Sequence, residues 1–285
     1  MTIWQAILLG LVQGLTEFIP ISSTAHLTLA GKAAGVIDPQ QPQQWTAFIA
    51  VIQLGTLLAV LIYFWADILS ITRSFLLANI ARLKRQSVED VHRHQARLGW
   101  FVILGSIPIA TVGLAFKDII EGQLTKNLWV IAASLIGLAL LLALAEMVAS
   151  QKRDMETLRL SDALAVGLSQ VFALIPGSSR SGTTITGGLL AGMKREAAAR
   201  FSFLLSIPAI AASGLLEFRE VLRTGDAEWT PIIIATVVSA VSGYLSIAFL
   251  LRFLQKHTTF LFVFYRIALG VLIIALLMAG RIAAD

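Results

Sequence analysis

The sequence predicts an all-α polytopic membrane protein: six transmembrane helices plus two re-entrant helix pairs, arranged as an inverted repeat. Three observations carry that reading. Charge is scarce, with 22 Lys and Arg and 17 Asp and Glu making 14% of 285 residues, where a soluble domain would carry roughly 25%. Apolar residues make up 57% of the chain and mean hydropathy is +0.81, so most of its surface is solvated by lipid. Two apolar stretches are interrupted by Pro, Ser and Gly, and the two interruptions resemble each other. A cytosolic enzyme, a disordered chain and a nucleic-acid binder are thereby excluded. The pI near 9.8 does not restore the last of these, because a net charge of +5 is what loops biased toward Lys and Arg on one membrane face leave behind. With no Cys, disulfides, thiolate catalysis and Cys-ligated metals are ruled out. The first basic residue is Lys32, so the N-terminus lacks the charged start of a cleaved signal.

Taken in order, the chain opens with a broken apolar stretch over residues 3 to 30. Three segments long enough to span follow, at 44 to 66, 98 to 116 and 128 to 149. A second broken stretch covers 162 to 193, and spans at 201 to 217, 231 to 251 and 260 to 280 complete the chain. The breaks fall at Pro20-Ile21-Ser22-Ser23 and Pro176-Gly177-Ser178-Ser179. Broken backbone at membrane depth exposes N–H and C=O groups, which is tolerated only inside protein or along a polar cavity. Each broken stretch therefore reads as a helix pair that enters and leaves by one face. With residues 67 to 97 placed inside, the loops at 150 to 160, 194 to 200 and 252 to 259 fall inside too, and these four hold 14 of the 22 basic residues. The outer segments hold Lys32, Lys117, Lys126, Arg219, Arg223 and Arg281, and both termini lie outside.

The repeat divides the chain into halves at 1–160 and 161–285 within one integral membrane domain. Gly10 to His26 reads GLVQGLTEFIPISSTAH and Gly167 to Thr183 reads GLSQVFALIPGSSRSGT. Pro20, Ser22 and Ser23 recur as Pro176, Ser178 and Ser179 at an offset of 156, with the Gln pair out by one. Each half holds one re-entrant pair and three spans, and an odd number of crossings inverts the second half. Inverted repeats meet near the bilayer midplane, where broken helices aim their ends at one ligand.

The residues that carry chemistry cluster at the breaks. Glu17 is a carboxylate in an apolar helix, at a cost of about 2.5 to 3.5 kcal/mol, with Gln13 one turn earlier on the same face. It reads as a metal ligand or general base, or as a cap on the broken backbone. His26 is the only His outside the hydrophilic loops. Beside Ser22, Ser23 and Glu17 it suits proton transfer, with the carboxylate orienting the ring. The second tip offers two Gly for close backbone approach, hydroxyls at Ser178, Ser179, Ser181, Thr183 and Thr184, and Arg180, whose fork fits phosphate oxygens. A helix from Thr183 onward would add positive potential. The alternative is a small-residue packing surface in which Arg180 pairs with a buried acid, and the topologically equivalent acid is Glu17. Arg266 reads as a second phosphate contact or as a partner of Glu146 or a carbonyl, and Gln53 as a residue facing the cavity. Glu146, Asp162 and Glu217 lie near span ends and read as structural. The two tips together describe a site for a phosphorylated amphiphile, its head group on Arg180 and the backbone donors.

QGLTEFIPISSTAH and PGSSRSGTT, together with the FSFLLSIP and YRIALG stretches, resemble the bacterial undecaprenyl-diphosphate phosphatases, the bacitracin-resistance family, over essentially the whole chain. The resemblance implies a membrane enzyme that removes one phosphate from undecaprenyl diphosphate, dependent on a divalent cation (Mg²⁺ or Ca²⁺), in the bacterial inner membrane with its site opening to the periplasm. It implies roles for Gln13 and Glu17 in the acidic motif, which would also hold the metal, for Ser23 and His26 as nucleophile and base, and for Ser179, Arg180 and Thr184 in binding phosphate, with Ser22, Gly177, Ser178 and Ser181 beside them. Gln13 stands where some members have Glu, which weakens a metal cage and leaves the cation to the diphosphate oxygens. The partners so implied are a polyprenyl diphosphate lipid and the bilayer, with a homodimer left open. The rival class is a transporter or flippase of polyprenyl phosphates, since inverted broken helices are also a transporter architecture. The other class of membrane lipid phosphatase is disfavoured, because after Ser179-Arg180 no His occurs until His257.

Overall fold

The structure is a computed structural model that describes residues 1–37, 42–85, 90–116, 127–224 and 228–284. Helix α1 (Ile3–Phe18) starts on a capping box, in which the Thr2 hydroxyl accepts the Gln5 N–H and Gln5 Oε1 accepts the Thr2 N–H. It stops before Pro20, with Ile19 already extended at φ −68°, ψ 136°. At 16 residues it spans about 24 Å, short of a hydrocarbon core of about 30 Å. Helix α2 (Ser23–Ala33) follows, then α3 (Pro42–Tyr63), α4 (Trp65–Leu83), α5 (Asp90–Ala115), α6 (Leu128–Val148), α7 (Leu160–Val171), α8 (Arg180–Leu190), α9 (Arg195–Thr224), α10 (Trp229–Lys256) and α11 (Phe260–Met278). Among the described residues five helices, α5, α6, α9, α10 and α11, are long and apolar enough to cross a membrane, and α3 with α4 forms a sixth such unit. The protein is multi-pass and, among the described residues, without β-strands.

Two sequence expectations need correction. Residues 67 to 97, read as one inner loop, contain α4, which leaves α3 at a 75° bend around Phe64. The three charges Asp67, Arg73 and Arg82 disguised it, although Leu69, Leu76, Leu77, Ile80 and Leu83 give it an exposed apolar surface. Residues 195 to 200 and 252 to 256 of two further inner loops are likewise helical, as the first turns of α9 and the last of α10. Arg, Glu, Lys and Gln propagate a helix as well as most apolar residues do, so helices outrun their apolar windows. Lys117 and Lys126, assigned outside, lie outside the described residues.

Side-chain contacts define two ends of the bundle. At one, the Met1 ammonium pairs with Glu228 (2.9 Å), Lys32 Nζ donates to the Ala283 carbonyl (3.1 Å) and the Leu128 N–H donates to the Ala284 carbonyl (2.8 Å). At the other, Arg153 pairs with Asp162, Arg195 with Glu146, Arg200 with Asp67 (2.9 Å) and Lys194 with Asp154 (3.3 Å). A polar cleft of about 550 Å³ opens there between Asp154, Lys194, Arg195, Arg200 and Gln255, drawing together three loops assigned to the inner face. Helix α1 leaves the first end and α2 returns to it, where Gln5 Nε2 donates to the Ala34 carbonyl (2.9 Å). Helix α7 leaves the second end and α8 returns to it, where the Lys152 and Arg153 N–H groups donate to the Gly192 carbonyl. The two broken pairs thus enter from opposite ends and meet inside.

The halves interdigitate. Helix α1 lies on α10 and α7 lies on α5, each at a glycine: a Cβ on Gly10 would sit 2.9 Å from Ala235 Cα, and one on Gly167 would sit 2.8 Å from Gly105 Cα. Beneath the tips, Phe18 of α1 packs edge-on to Phe203 of α9 (5.2 Å between ring centroids), with Phe64, Ile185 and Leu189 in the same buried cluster. That apolar bed sets the depth at which the tips stop.

Candidate active site

Each tip is built on a serine forced into the left-handed region. Ser22 has φ 77°, ψ 99° and Ser179 has φ 67°, ψ 111°, and each caps the helix that follows: Ser22 Oγ accepts the Ala25 N–H (3.3 Å) and Ser179 Oγ accepts the Gly182 N–H (3.2 Å). A non-glycine residue there is strained, at about 1–3 kcal/mol, and such strain collects at functional sites. The caps correct the repeat. Ser22 is matched by Ser179, not Ser178, so the working offset is 157, which also brings Gln13 onto Gln170, Gly10 onto Gly167 and Gly31 onto Gly188. The proline is the member out of register. Ser23 and Arg180 therefore occupy the same place, the first residue of α2 and of α8. Helix α8 starts at Arg180, three residues before the expected Thr183. Among the described residues, the N–H groups of Ser23, Thr24, Arg180 and Ser181 make no hydrogen bond, so both tips present free donors inward.

Arg180 reaches across from the second tip and pairs through Nη2 with Glu17 Oε1. The Glu17 side chain is 3% exposed and its other oxygen accepts the Gln13 Nε2–H (2.9 Å). Ser181 Oγ also crosses, donating to the Ile19 carbonyl (3.2 Å). The sequence left Arg180 open between a phosphate and Glu17; here its partner is Glu17. The expectation that Glu17 orients His26 is not met, because both carboxylate oxygens are engaged elsewhere. The His26 ring is held instead by the Ser22 carbonyl at Nδ1 (2.7 Å) and by the Tyr265 hydroxyl at Nε2 (2.6 Å).

The hydroxyls of the second tip do not line a cradle; they build the turn. Ser178 Oγ donates to the Ile175 carbonyl (2.6 Å), Ser179 and Ser181 share a hydrogen bond (3.2 Å), and Thr183 and Thr184 donate back to the Arg180 carbonyl (2.9 and 2.7 Å). Thr184 also meets Ser202 Oγ (2.5 Å) and is fully buried. Gly177, at φ 84°, has no room for a side chain against Ser134 and Ile131. Ser23 stands apart: among the described residues its hydroxyl makes no hydrogen bond.

Arg266 is fully buried on α11 and donates through Nη2 to the Ser178 carbonyl (2.7 Å) and more weakly to Gly177 (3.5 Å), while its Nε and Nη1 have no partner. Its reading as a partner of Glu146 fails, because Glu146 accepts from Arg195 (Nε, 2.7 Å) and from the Thr259 N–H and hydroxyl (3.2 and 2.8 Å). Gln53 is half-buried on α3 and takes no part in the bonds that join the tips. Tyr265, Ser134 and Ser202 escaped the sequence reading. Only Tyr265 carried a signal, as a polar residue beside Arg266 in an otherwise apolar span. As a cation site, Gln13 and Glu17 offer one carboxylate already paired with a guanidinium and one buried acceptor, Gln13 Oε1, without a partner. Among the described residues no three carboxylate or imidazole groups converge. That donor set does not fit a resident divalent cation, which wants six or more oxygens or several carboxylates.

A family model described as bacitracin resistance protein BacA matches residues 6–272. The chain belongs to that family. Relatives named undecaprenyl-diphosphatase come from Syntrophobacter fumaroxidans (59% identical over 271 residues, 95% of each chain), Chlorobium phaeovibrioides (48% over 292 residues, 99% of each) and Myxococcus xanthus (48% over 287 residues, 99% of this chain and 92% of the relative). The matched region contains both tips, the part of α11 up to residue 272 and every residue of the site just described.

Proposed function

We propose that this protein is a membrane phosphatase that hydrolyses undecaprenyl diphosphate to undecaprenyl phosphate and inorganic phosphate, recycling the lipid carrier of cell-wall synthesis and so conferring bacitracin resistance. One observation supports this reading best. A fully buried guanidinium, Arg266, and a largely buried one, Arg180, converge on the second tip with, among the described residues, the one buried carboxylate of Glu17 to offset them. A buried cation in excess is costly unless an anion meets it. The free N–H groups at the starts of α2 and α8 point to the same kind of ligand, and the apolar surface of the bundle leaves the prenyl tail in lipid.

The chemistry follows from the chain's own groups. The terminal phosphate displaces Glu17 from Arg180, whose fork and the Arg180 and Ser181 N–H groups take its oxygens. Ser23 Oγ, the one tip serine with an uncommitted hydroxyl, attacks the terminal phosphorus while His26 Nε2 takes its proton. The P–O bond to the bridging oxygen breaks, and undecaprenyl phosphate leaves with the electron pair and the proton that His26 took, which returns the imidazole to its neutral form. Water, deprotonated by the same imidazole, then cleaves the serine phosphate. A divalent cation, Mg²⁺ or Ca²⁺ as the family resemblance implies, would be held mainly by the substrate and not by Gln13 and Glu17, and would supply neutralisation of phosphate charge. The same resemblance supports the bacterial inner membrane, with the site opening toward the periplasm.

Phosphate release from undecaprenyl diphosphate by the purified protein in detergent tests the activity, with loss expected for His26→Gln. A phosphorylated Ser23, trapped by acid quench and mapped by mass spectrometry, tests the covalent step; Ser23→Ala at wild-type turnover would leave water as the nucleophile. The paired broken helices also suit a flippase, and translocation of a labelled polyprenyl phosphate in vesicles without phosphate release would favour that reading.

A further inference from the structure

We propose that Tyr265 is a positioning residue for His26: its hydroxyl holds the imidazole with the Nε2 lone pair aimed at α11, and gives up that lone pair to the attacking hydroxyl when the diphosphate enters. The inference rests on the proposed function. The argument begins with the two ring nitrogens. Nδ1 lies 2.7 Å from the Ser22 carbonyl, which only accepts, so Nδ1 carries the hydrogen. The one lone pair of the neutral ring is then on Nε2, and the Tyr265 hydroxyl, 2.6 Å away, donates to it. The two ring planes lie within 8° of each other, so the tyrosine also sets the tilt of the imidazole.

The lone pair needed as a base is thus occupied before substrate arrives. Among the described residues, no other side chain makes a hydrogen bond to the ring. Tyr265 is about half exposed, so an arriving head group can displace it, whereas Ser22, whose carbonyl holds Nδ1, belongs to the buried turn. The next residue on α11, Arg266, holds the Ser178 carbonyl of the other tip at 2.7 Å. Two consecutive residues of one helix therefore grip both tips, the first through the base and the second through the backbone under the phosphate site. A shift of α11 on substrate binding moves both together.

The test compares wild type, Tyr265→Phe, His26→Gln and the double variant, by phosphate release from undecaprenyl diphosphate and by ¹⁵N NMR of the protein labelled at its four histidines, with His26→Gln assigning the signals. Tyr265→Phe is expected to lower kcat about tenfold with KM within twofold, to move the His26 Nε2 resonance toward that of a free imidazole, and to leave the double variant no worse than His26→Gln alone. Unchanged kcat, an unmoved Nε2 resonance, or losses that multiply in the double variant would each overturn the role of Tyr265. A wild-type protein that releases no phosphate would overturn the proposed function first, and this role with it.

Discussion

Replacing Arg180 with Ala separates a phosphate site from a buried ion pair. The guanidinium side chain is 16% exposed and its partner Glu17 3%, so its charge acts at low dielectric, where a preorganised donor is worth most. Loss of one such donor costs about 10²–10³ in rate, and loss of an Arg that neutralises a transferring phosphoryl group about 10³–10⁵. The expected fall in kcat/KM is about 10³-fold, ~4 kcal/mol. The same change strands the Glu17 carboxylate, and breaking a buried pair costs about 3 kcal/mol of stability. Adding Glu17→Gln relieves the second loss and not the first. The double variant should thus unfold near the wild-type temperature in detergent while remaining inactive. Phosphate release and thermal unfolding on the same samples read the two effects apart. Retention of a tenth or more of wild-type kcat/KM in Arg180→Ala, or recovery of activity in the double variant, would refute the assignment and leave Arg180 as a counter-ion only.

Three further outcomes follow from the packing. Gly10→Ala should destabilise by about 1–3 kcal/mol, since its Cβ would press on the Ala235 backbone of α10, whereas Gly137→Ala, with nothing within 4 Å of its Cβ, should stabilise by up to about 1 kcal/mol; unfolding in detergent compares the two. Glu146→Ala leaves Arg195 and the Thr259 donors at the head of α11 unpaired and should cost about 3 kcal/mol, with kcat per folded molecule unchanged, by the same unfolding measurement and phosphate release. Gly182→Ala would place a Cβ 2.6 Å from Nη1 of the fully buried Arg266 and should reduce kcat about tenfold in the phosphate assay.

What the sequence made legible is what local rules govern. The crossing helices follow from counts of apolar residues, and the tips follow from proline and serine in places where a helix cannot continue. Helix α4 was missed because three charges in nineteen residues break an apolar window without breaking a helix. The register of the repeat was read one residue off because identical letters were aligned, whereas the equivalence is set by which serine adopts φ near 70° and caps its helix. The partners of Glu17 and His26 lie 163 and 239 residues away. The repeat offered Arg180 and Glu17 as one alternative pair, but no spacing rule reaches Tyr265, and the short-range guess that Glu17 steers its neighbour His26 lost to the reach across the tips. The hydroxyls of the second tip were seen correctly as a cluster, but their count could not say that the backbone would claim them.

The matching serines place Ser23 and Arg180 at the same rung, the first residue of the helix that leaves each tip. Two identical subunits joined at such tips would have to put the same side chain at both rungs. They would oppose either two hydroxyls with no cation or two guanidinium groups that repel. Joining both halves in one chain removes that constraint, so one tip can carry the groups that give and take a proton while the other holds only charge. The division of labour in this site is thus closed to a pair of identical subunits.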